Sequence, residues 1–186
     1  KDRTEKGSGC SMSITCDAEL LRNAEIGDSI SVSGVCSTIT RLSDSEFSVD
    51  YLEETLLKTT LKSSSIGDII NIEPCATLAT KMGGHMVSGH VDETGQIKSF
   101  EKNGDWGVIT IKFNKKYAPY LIEKGSITID GISLTVVDLN EDTFTCHLIP
   151  HTIENTTLSV KTAGMKVNLE YDQIAKYIYR ITTLNK

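Results

Sequence analysis

Residues 29–33 run Ser-Ile-Ser-Val-Ser and residues 126–130 run Ser-Ile-Thr-Ile-Asp, so polar and apolar side chains alternate strictly, and a glycine follows each run. A period of two puts every second side chain on one face of a half-buried β-strand. The same reading predicts short strands over 38–42, 47–51 and 69–73, and again over 135–139, 143–149 and 166–170. Ser43-Asp44-Ser45 and Ile66-Gly67-Asp68 punctuate the first set as turns. Ahead of the last strand of each set lies a Thr/Leu-rich stretch, 53–61 or 151–158, that predicts a short helix, the second opened by Pro150. In the tail the period changes. Ile174, Tyr177, Ile178 and Ile181 fall at i, i+3, i+4 and i+7, the stripe of an amphipathic helix that must cover its own barrel or the same helix of a neighbouring copy.

The two sets of strands are one pattern written twice. Slid by about 97 residues, 27–73 overlies 124–170 without a gap and with thirteen identities, among them Gly34 on Gly131, Thr38 on Thr135, Asn71 on Asn168 and Glu73 on Glu170. Short strands, a helical turn and a repeat predict an all-β chain of two tandem, homologous six-stranded Greek-key barrels followed by a C-terminal helix. The expected domains are 1–82, 83–171 and 172–186. The second copy extends upstream through 83–92, read as a strand, and its first-copy counterpart falls before residue 1. The expectation is that about a dozen preceding residues supply the first strand of the N-terminal barrel.

Composition narrows the function. Hydrophobic residues make up 39% and charged residues 24%, enough for a packed core. The net charge is −6, with no basic stripe to release counterions, which argues against a nucleic-acid partner. No apolar run reaches the roughly 18 residues that span a bilayer, so no membrane partner is expected. The five cysteines are odd in number, lack a Cys-x-x-Cys pair and suit a reducing, cytoplasmic setting better than a disulfide or zinc scaffold. No metal site is predicted.

Five blocks carry a resemblance: Met82-Gly-Gly-His-Met-Val-Ser-Gly-His-Val-Asp92, the run 125–136, Leu148-Ile-Pro-His-Thr152, Gly34-Val-Cys-Ser-Thr38, and Val167-Asn-Leu-Glu170 with Asp172. Together, in order and at the family's spacing, they closely resemble the riboflavin synthases, tandem-barrel lumazine-binding proteins. The resemblance implies an enzyme that converts two molecules of 6,7-dimethyl-8-ribityllumazine into riboflavin and 5-amino-6-(D-ribitylamino)uracil. A four-carbon unit passes between them with no cofactor. It also implies a homotrimer in which the N-terminal barrel of one subunit faces the C-terminal barrel of another, and it makes lumazine synthase a candidate partner. Non-catalytic lumazine- or flavin-binding antenna proteins of the same fold are the alternative class. Retention of Ser88-Gly89-His90-Val91, Ser133, Thr135 and Asp172 favours the enzyme.

Cys36 and Ser133 hold equivalent repeat positions. A cysteine in a strand is either a small buried hydrophobe or a pocket group; by resemblance both line the two substrate pockets, and Cys36, Ser133, His90 and Asp172 are the catalytic candidates. A histidine side chain titrates near neutrality, so His90 suits proton removal from the lumazine 7-methyl group, against a purely structural role. Asp172 also reads as a helix N-cap. Thr38 and Thr135 lie two residues beyond Cys36 and Ser133 on the same strand face and offer hydroxyls to the ring edge. The paired pocket walls are Asp50, Tyr51, Leu52, Glu53, Glu54 and Thr55 in one copy and Ile149, Pro150, His151, Thr152, Ile153 and Glu154 in the other. Gly89, Val91, Leu134 and Lys124 complete the implied ligand set, Lys124 reaching from a neighbouring subunit. His85 reads as structural, and His147 as an ordinary strand residue. Ser37 departs from the family, which carries an apolar residue there; Leu134 is its repeat partner, and a cost in core packing is expected. In the family the segment before the first copy adds an aromatic residue and backbone contacts to the N-terminal pocket.

Overall fold

The computed structural model describes residues 2–184; residue 1 and residues 185–186, the outer ends of the first and last expected domains, lie outside the described residues. The N-terminal copy contains β1 (Asp2–Lys6), β2 (Gly9–Thr15), α1 (Ala18–Leu21), β3 (Ser29–Val32), β4 (Val35–Ser43), β5 (Glu46–Tyr51), α2 (Glu53–Lys58) and β6 (Ile72–Pro74). The C-terminal copy contains β7 (Glu93–Asn103), β8 (Trp106–Lys112), β9 (Ser126–Ile129), β10 (Ile132–Leu139), β11 (Thr143–Leu148), α3 (Pro150–Glu154) and β12 (Lys166–Tyr171). α4 (Gln173–Thr183) ends the described chain, capped by the Asp172 carboxylate, which accepts from the Ile174 amide at 2.9 Å. No helix of the described residues is long and apolar enough to cross a membrane.

Every pairing is antiparallel. The second copy closes into a barrel in the order β7-β8-β11-β10-β9-β12, and the first follows the same order, β1-β2-β5-β4-β3-β6, as an open sheet. β12 closes the second barrel by pairing Lys166–Leu169 with the leading end of β7, Glu93–Gln96. At the repeat offset β1 corresponds to the trailing half of β7, the half that pairs with β8, and among the described residues β6 pairs with β3. β4 and β10 slip register at equivalent positions, after Ile39 and after Val136, and such bulges bend a strand around a small barrel.

Alternation sets the cores. Ile30, Val32, Ile39, Phe47 and Val49 fill the first, and Ile127, Ile129, Val136, Phe144 and Cys146 fill the second. The expected cost at Ser37 is offset by a partner. Its hydroxyl lies 2.7 Å from the Tyr51 hydroxyl and donates to the Val35 carbonyl at 2.9 Å, where the second copy packs Leu134 and Leu148. A leucine pair in one barrel is thus a hydrogen-bonded Ser–Tyr pair in the other.

The copies are latched by a reciprocal bond set. Asn71 donates through Nδ2 to the Asp130 carbonyl (2.9 Å) and accepts at Oδ1 from the Thr157 amide (2.8 Å). Asn168, its repeat partner, donates to the Ser33 carbonyl (2.8 Å) and accepts from the Thr60 amide (2.7 Å). Ser33 and Asp130 are themselves equivalent, as are Thr60 and Thr157, so the latch has approximate twofold symmetry. At its centre Gly34 (φ 80°) meets Gly131 (φ 89°), and a Cβ on Gly34 would stand 2.5 Å from the Gly131 nitrogen. Only glycine permits that approach.

Two strand expectations are corrected. Strand pairing in the stretch 69–73 begins only at Ile72, and 83–92 holds no strand: the Ser88 and Gly89 amides go to the Glu170 carboxylate, the Gly89 carbonyl accepts from Cys36 of the other copy, and the Asp92 amide donates to the Leu169 carbonyl. The expected helices shorten to α2 and α3, each followed by a 3-10 turn at Thr60–Ser63 or Thr157–Ser159. α1 and the β1–β2 and β7–β8 hairpins go beyond the strands and helices read from the sequence.

Candidate functional site

The latch leaves a cleft of about 1150 Å³ between the copies. Cys36 from β4, Ser133 from β10 and Glu154 from α3 line it, as do His85 and Gly89 from the irregular stretch before β7. One chain therefore brings both repeat-related side chains, Cys36 and Ser133, to one space.

The densest chemistry is at Ser133. His85 Nδ1 lies 2.8 Å from Ser133 Oγ, and His85 Nε2 lies 3.1 Å from Thr128 Oγ1. Burial pulls the His85 pKa below its ordinary 6.5, opposed in part by the nearby charges of Asp172 and Glu170. The ring is therefore neutral at pH 7 and carries one N–H, so one hydroxyl donates to it and the other accepts. A hydroxyl, a neutral imidazole and a second hydroxyl that orients the ring form a proton-handling chain. His85, read from sequence as structural, belongs to the site's geometry.

The first copy is built differently at the matching place. Cys75 occupies the repeat position of Asp172, and its thiol adjoins that of Cys36. Burial first, then the Cys36 neighbour, pushes Cys75 up to about 11, so it is neutral at pH 7. The Cys36 amide donates to the Gly89 carbonyl at 2.9 Å. The cleft thus meets an imidazole with the Asp172 charge nearby from the second copy, and the Cys36 and Cys75 thiols from the first. Buried at the cleft wall, Asp130 (φ 48°) accepts from the Asn168 amide at 2.7 Å and lies 3.3 Å from Lys161, while burial pushes its carboxyl pKa up.

The remaining expected site residues lie elsewhere. His90 is exposed and does not line the cleft, nor do Thr38 and Thr135, both exposed on outward strand faces. Leu52 and Ile149, equivalent in the repeat, are 77% and 50% exposed at the starts of α2 and α3, beside exposed Glu53, Glu54 and His151. Pro150 opens α3; the Thr55 and Thr152 carbonyls accept from the hydroxyls of Thr59 and Thr156, each at 2.7 Å. Tyr51 and Ile153 are buried, Leu134 packs on the second core and Val91 on the first, so alternation and packing turn these side chains inward. Asp50 pairs with Lys6 at 3.2 Å, and the Ser11 hydroxyl and Lys6 hold its carboxyl below the usual range. Lys124 (φ 63°) occupies the left-handed turn before β9, its amide donating to the Val136 carbonyl at 2.8 Å.

The lumazine binding domain family matches this chain twice, over residues 2–74 and 88–172. The riboflavin synthase of Bacillus subtilis (strain 168) is 42% identical over 94% of this chain and 80% of its own length. That of Actinobacillus pleuropneumoniae is 44% identical over 89% and 77%, and that of Mycobacterium bovis 45% identical over 83% and 79%. Among solved structures, LumP complexed with riboflavin superposes with a TM-score of 0.86 at 20% identity, over 92% of each chain. LumP complexed with 6,7-dimethyl-8-(1'-D-ribityl) lumazine gives 0.83 at 20% identity.

Proposed function

The chain belongs to the lumazine-binding domain family, in the two-copy arrangement of its riboflavin synthase relatives, and on that premise we propose that it catalyses the riboflavin synthase reaction. Two molecules of 6,7-dimethyl-8-ribityllumazine enter; riboflavin and 5-amino-6-(D-ribitylamino)uracil leave after transfer of a four-carbon unit. The observation that carries this reading is the repeat itself. Two homologous copies present Cys36 with Thr38 and Ser133 with Thr135 on equivalent strands, as a reaction between two identical molecules requires. Holding both reactants face to face removes much of the entropic barrier of a bimolecular step.

The two copies also differ as the chemistry requires. One lumazine must lose a proton from its 7-methyl group, and the other must give up carbons to the resulting carbanion. The Ser133–His85 contact and the Asp172 carboxylate supply proton-handling groups at the second copy, and exposed His90 is free to meet a ligand. Cys36 and Cys75 offer the first copy a polarisable sulfur wall. Thr38 and Thr135, with the exposed starts of α2 and α3, lie outside the shared cleft, so a face from a second chain completes each site in this reading. The exposed α4 stripe of Ile174, Tyr177, Ile178 and Ile181 suits a homotrimer, assembled in the cytoplasm and open to association with lumazine synthase.

The test mixes the protein with 6,7-dimethyl-8-ribityllumazine without added metal or cofactor. Riboflavin formed at one molecule per two substrates consumed supports the reading. Tight binding with persistent lumazine fluorescence and no riboflavin assigns the chain to the antenna class.

A further inference from the structure

Glu170 lies on β12 with 2% of its surface exposed, and its carboxylate is given over to a loop. Oε1 accepts from the Ser88 amide and from the Ser88 hydroxyl, each at 2.7 Å, and Oε2 accepts from the Gly89 amide at 2.9 Å. Charge-assisted bonds of this kind are short and about twice as strong as neutral ones. They stand in for water around a buried carboxylate that would otherwise be costly.

The loop so held crosses to the other copy. The Gly89 carbonyl accepts from the Cys36 amide at 2.9 Å. β5 pairs with β4 only from Ile39 onward, so Gly89 takes the place of a strand neighbour beside Cys36. Gly89 adopts φ 78°, and a Cβ there would stand 2.7 Å from the Cys36 Cβ, so the contact is as close as a backbone permits. Two residues on, Val91 packs against the first core. His90 lies between these two anchors and projects into solvent.

We propose that Glu170 is a positioning residue for the pocket of the opposite copy: by locking the Ser88–Gly89 turn it seats the loop against Cys36 and fixes the direction in which His90 leaves it. The catalytic part of this proposal rests on the riboflavin synthase reading; the clamp itself does not.

The test uses Glu170→Gln, which keeps the shape but turns an N–H donor toward one of the loop's N–H groups. Alkylation of each cysteine by iodoacetamide is followed by peptide mass spectrometry, beside riboflavin formation from 6,7-dimethyl-8-ribityllumazine. The expected result is alkylation of Cys36 at least about fivefold faster, with buried Cys10 and Cys146 unchanged. Riboflavin turnover should fall about tenfold or more while KM moves less than about threefold, as for a group acting after binding. Ser88→Ala, which removes one of three bonds and leaves both amides in place, should shift both readouts the same way by less. An unchanged Cys36 rate in either variant overturns the clamp, and so does an equal rise at every cysteine, which reports general loosening. Faster Cys36 alkylation with normal turnover overturns the catalytic part. Should the parent protein make no riboflavin, the functional reading fails while the alkylation rates still decide the clamp.

Discussion

At the scale of single residues, chemistry is decided by partners distant in sequence. His85 meets Thr128 and Ser133, 43 and 48 residues further on, which no local pattern signals; within its Gly-Gly-His run it reads as structural. Its depressed pKa fixes a pH dependence. A folded histidine that resists protonation favours the folded state above the ordinary 6.5 and loses that contribution as pH falls through the lower folded value. The melting temperature of the protein should therefore drop between pH 7.5 and 5.5, and His85→Asn should flatten that drop. The Ser37–Tyr51 pair makes a second test. Ser37→Ala strands a buried tyrosine hydroxyl and should cost about 1–3 kcal/mol, whereas Tyr51→Phe leaves Ser37 bonded to the Val35 carbonyl and should cost about 1 kcal/mol. Urea unfolding of both variants reads the difference. The sequence marked Ser37 as a departure, and only the position of Tyr51 across the barrel explains it.

Among elements, legibility follows burial. β3 and β9 were plain because their alternation is strict and one face is fully buried. β1 reads Asp-Arg-Thr-Glu-Lys, mostly exposed at a sheet edge, and carries no apolar period to detect. The loop 83–92 reads as a strand in the sequence because its motif is visible and its bonding to Glu170 and Cys36 is not. The latch was half legible: the match of Asn71 to Asn168 stood out, but its purpose needed the two copies in contact. Its symmetry makes a sharp prediction. Asn71→Ala and Asn168→Ala each strand one amide and one carbonyl, and each should cost about 2–4 kcal/mol in urea unfolding, alike within about 1 kcal/mol. Gly34→Ala should cost at least as much, because it forces the copies apart at their closest approach. A large disparity between the two asparagines would show that the latch is not a reciprocal device.

Across the whole molecule, duplication converts one ligand-binding fold into a pair of related but unequal faces. The repeat is readable in the sequence; the inequality of the faces is not, because it depends on Cys75, at the repeat position of Asp172, standing against Cys36 in the fold. The α4 stripe remains uncovered within one chain, with Ile174, Tyr177, Ile178 and Ile181 each more than half exposed. Ile178→Glu should leave the circular dichroism of the barrels unchanged and lower the assembly mass measured by light scattering; an unchanged mass would separate α4 from assembly. Faces that require a neighbouring chain would also tie activity to that mass. The most direct test of the account is the stoichiometry of the reaction itself, with 6,7-dimethyl-8-ribityllumazine consumption and riboflavin appearance followed together in one sample of the assembled protein. Two lumazines should be lost for each riboflavin formed; lumazine bound without conversion would rule out the synthase reaction.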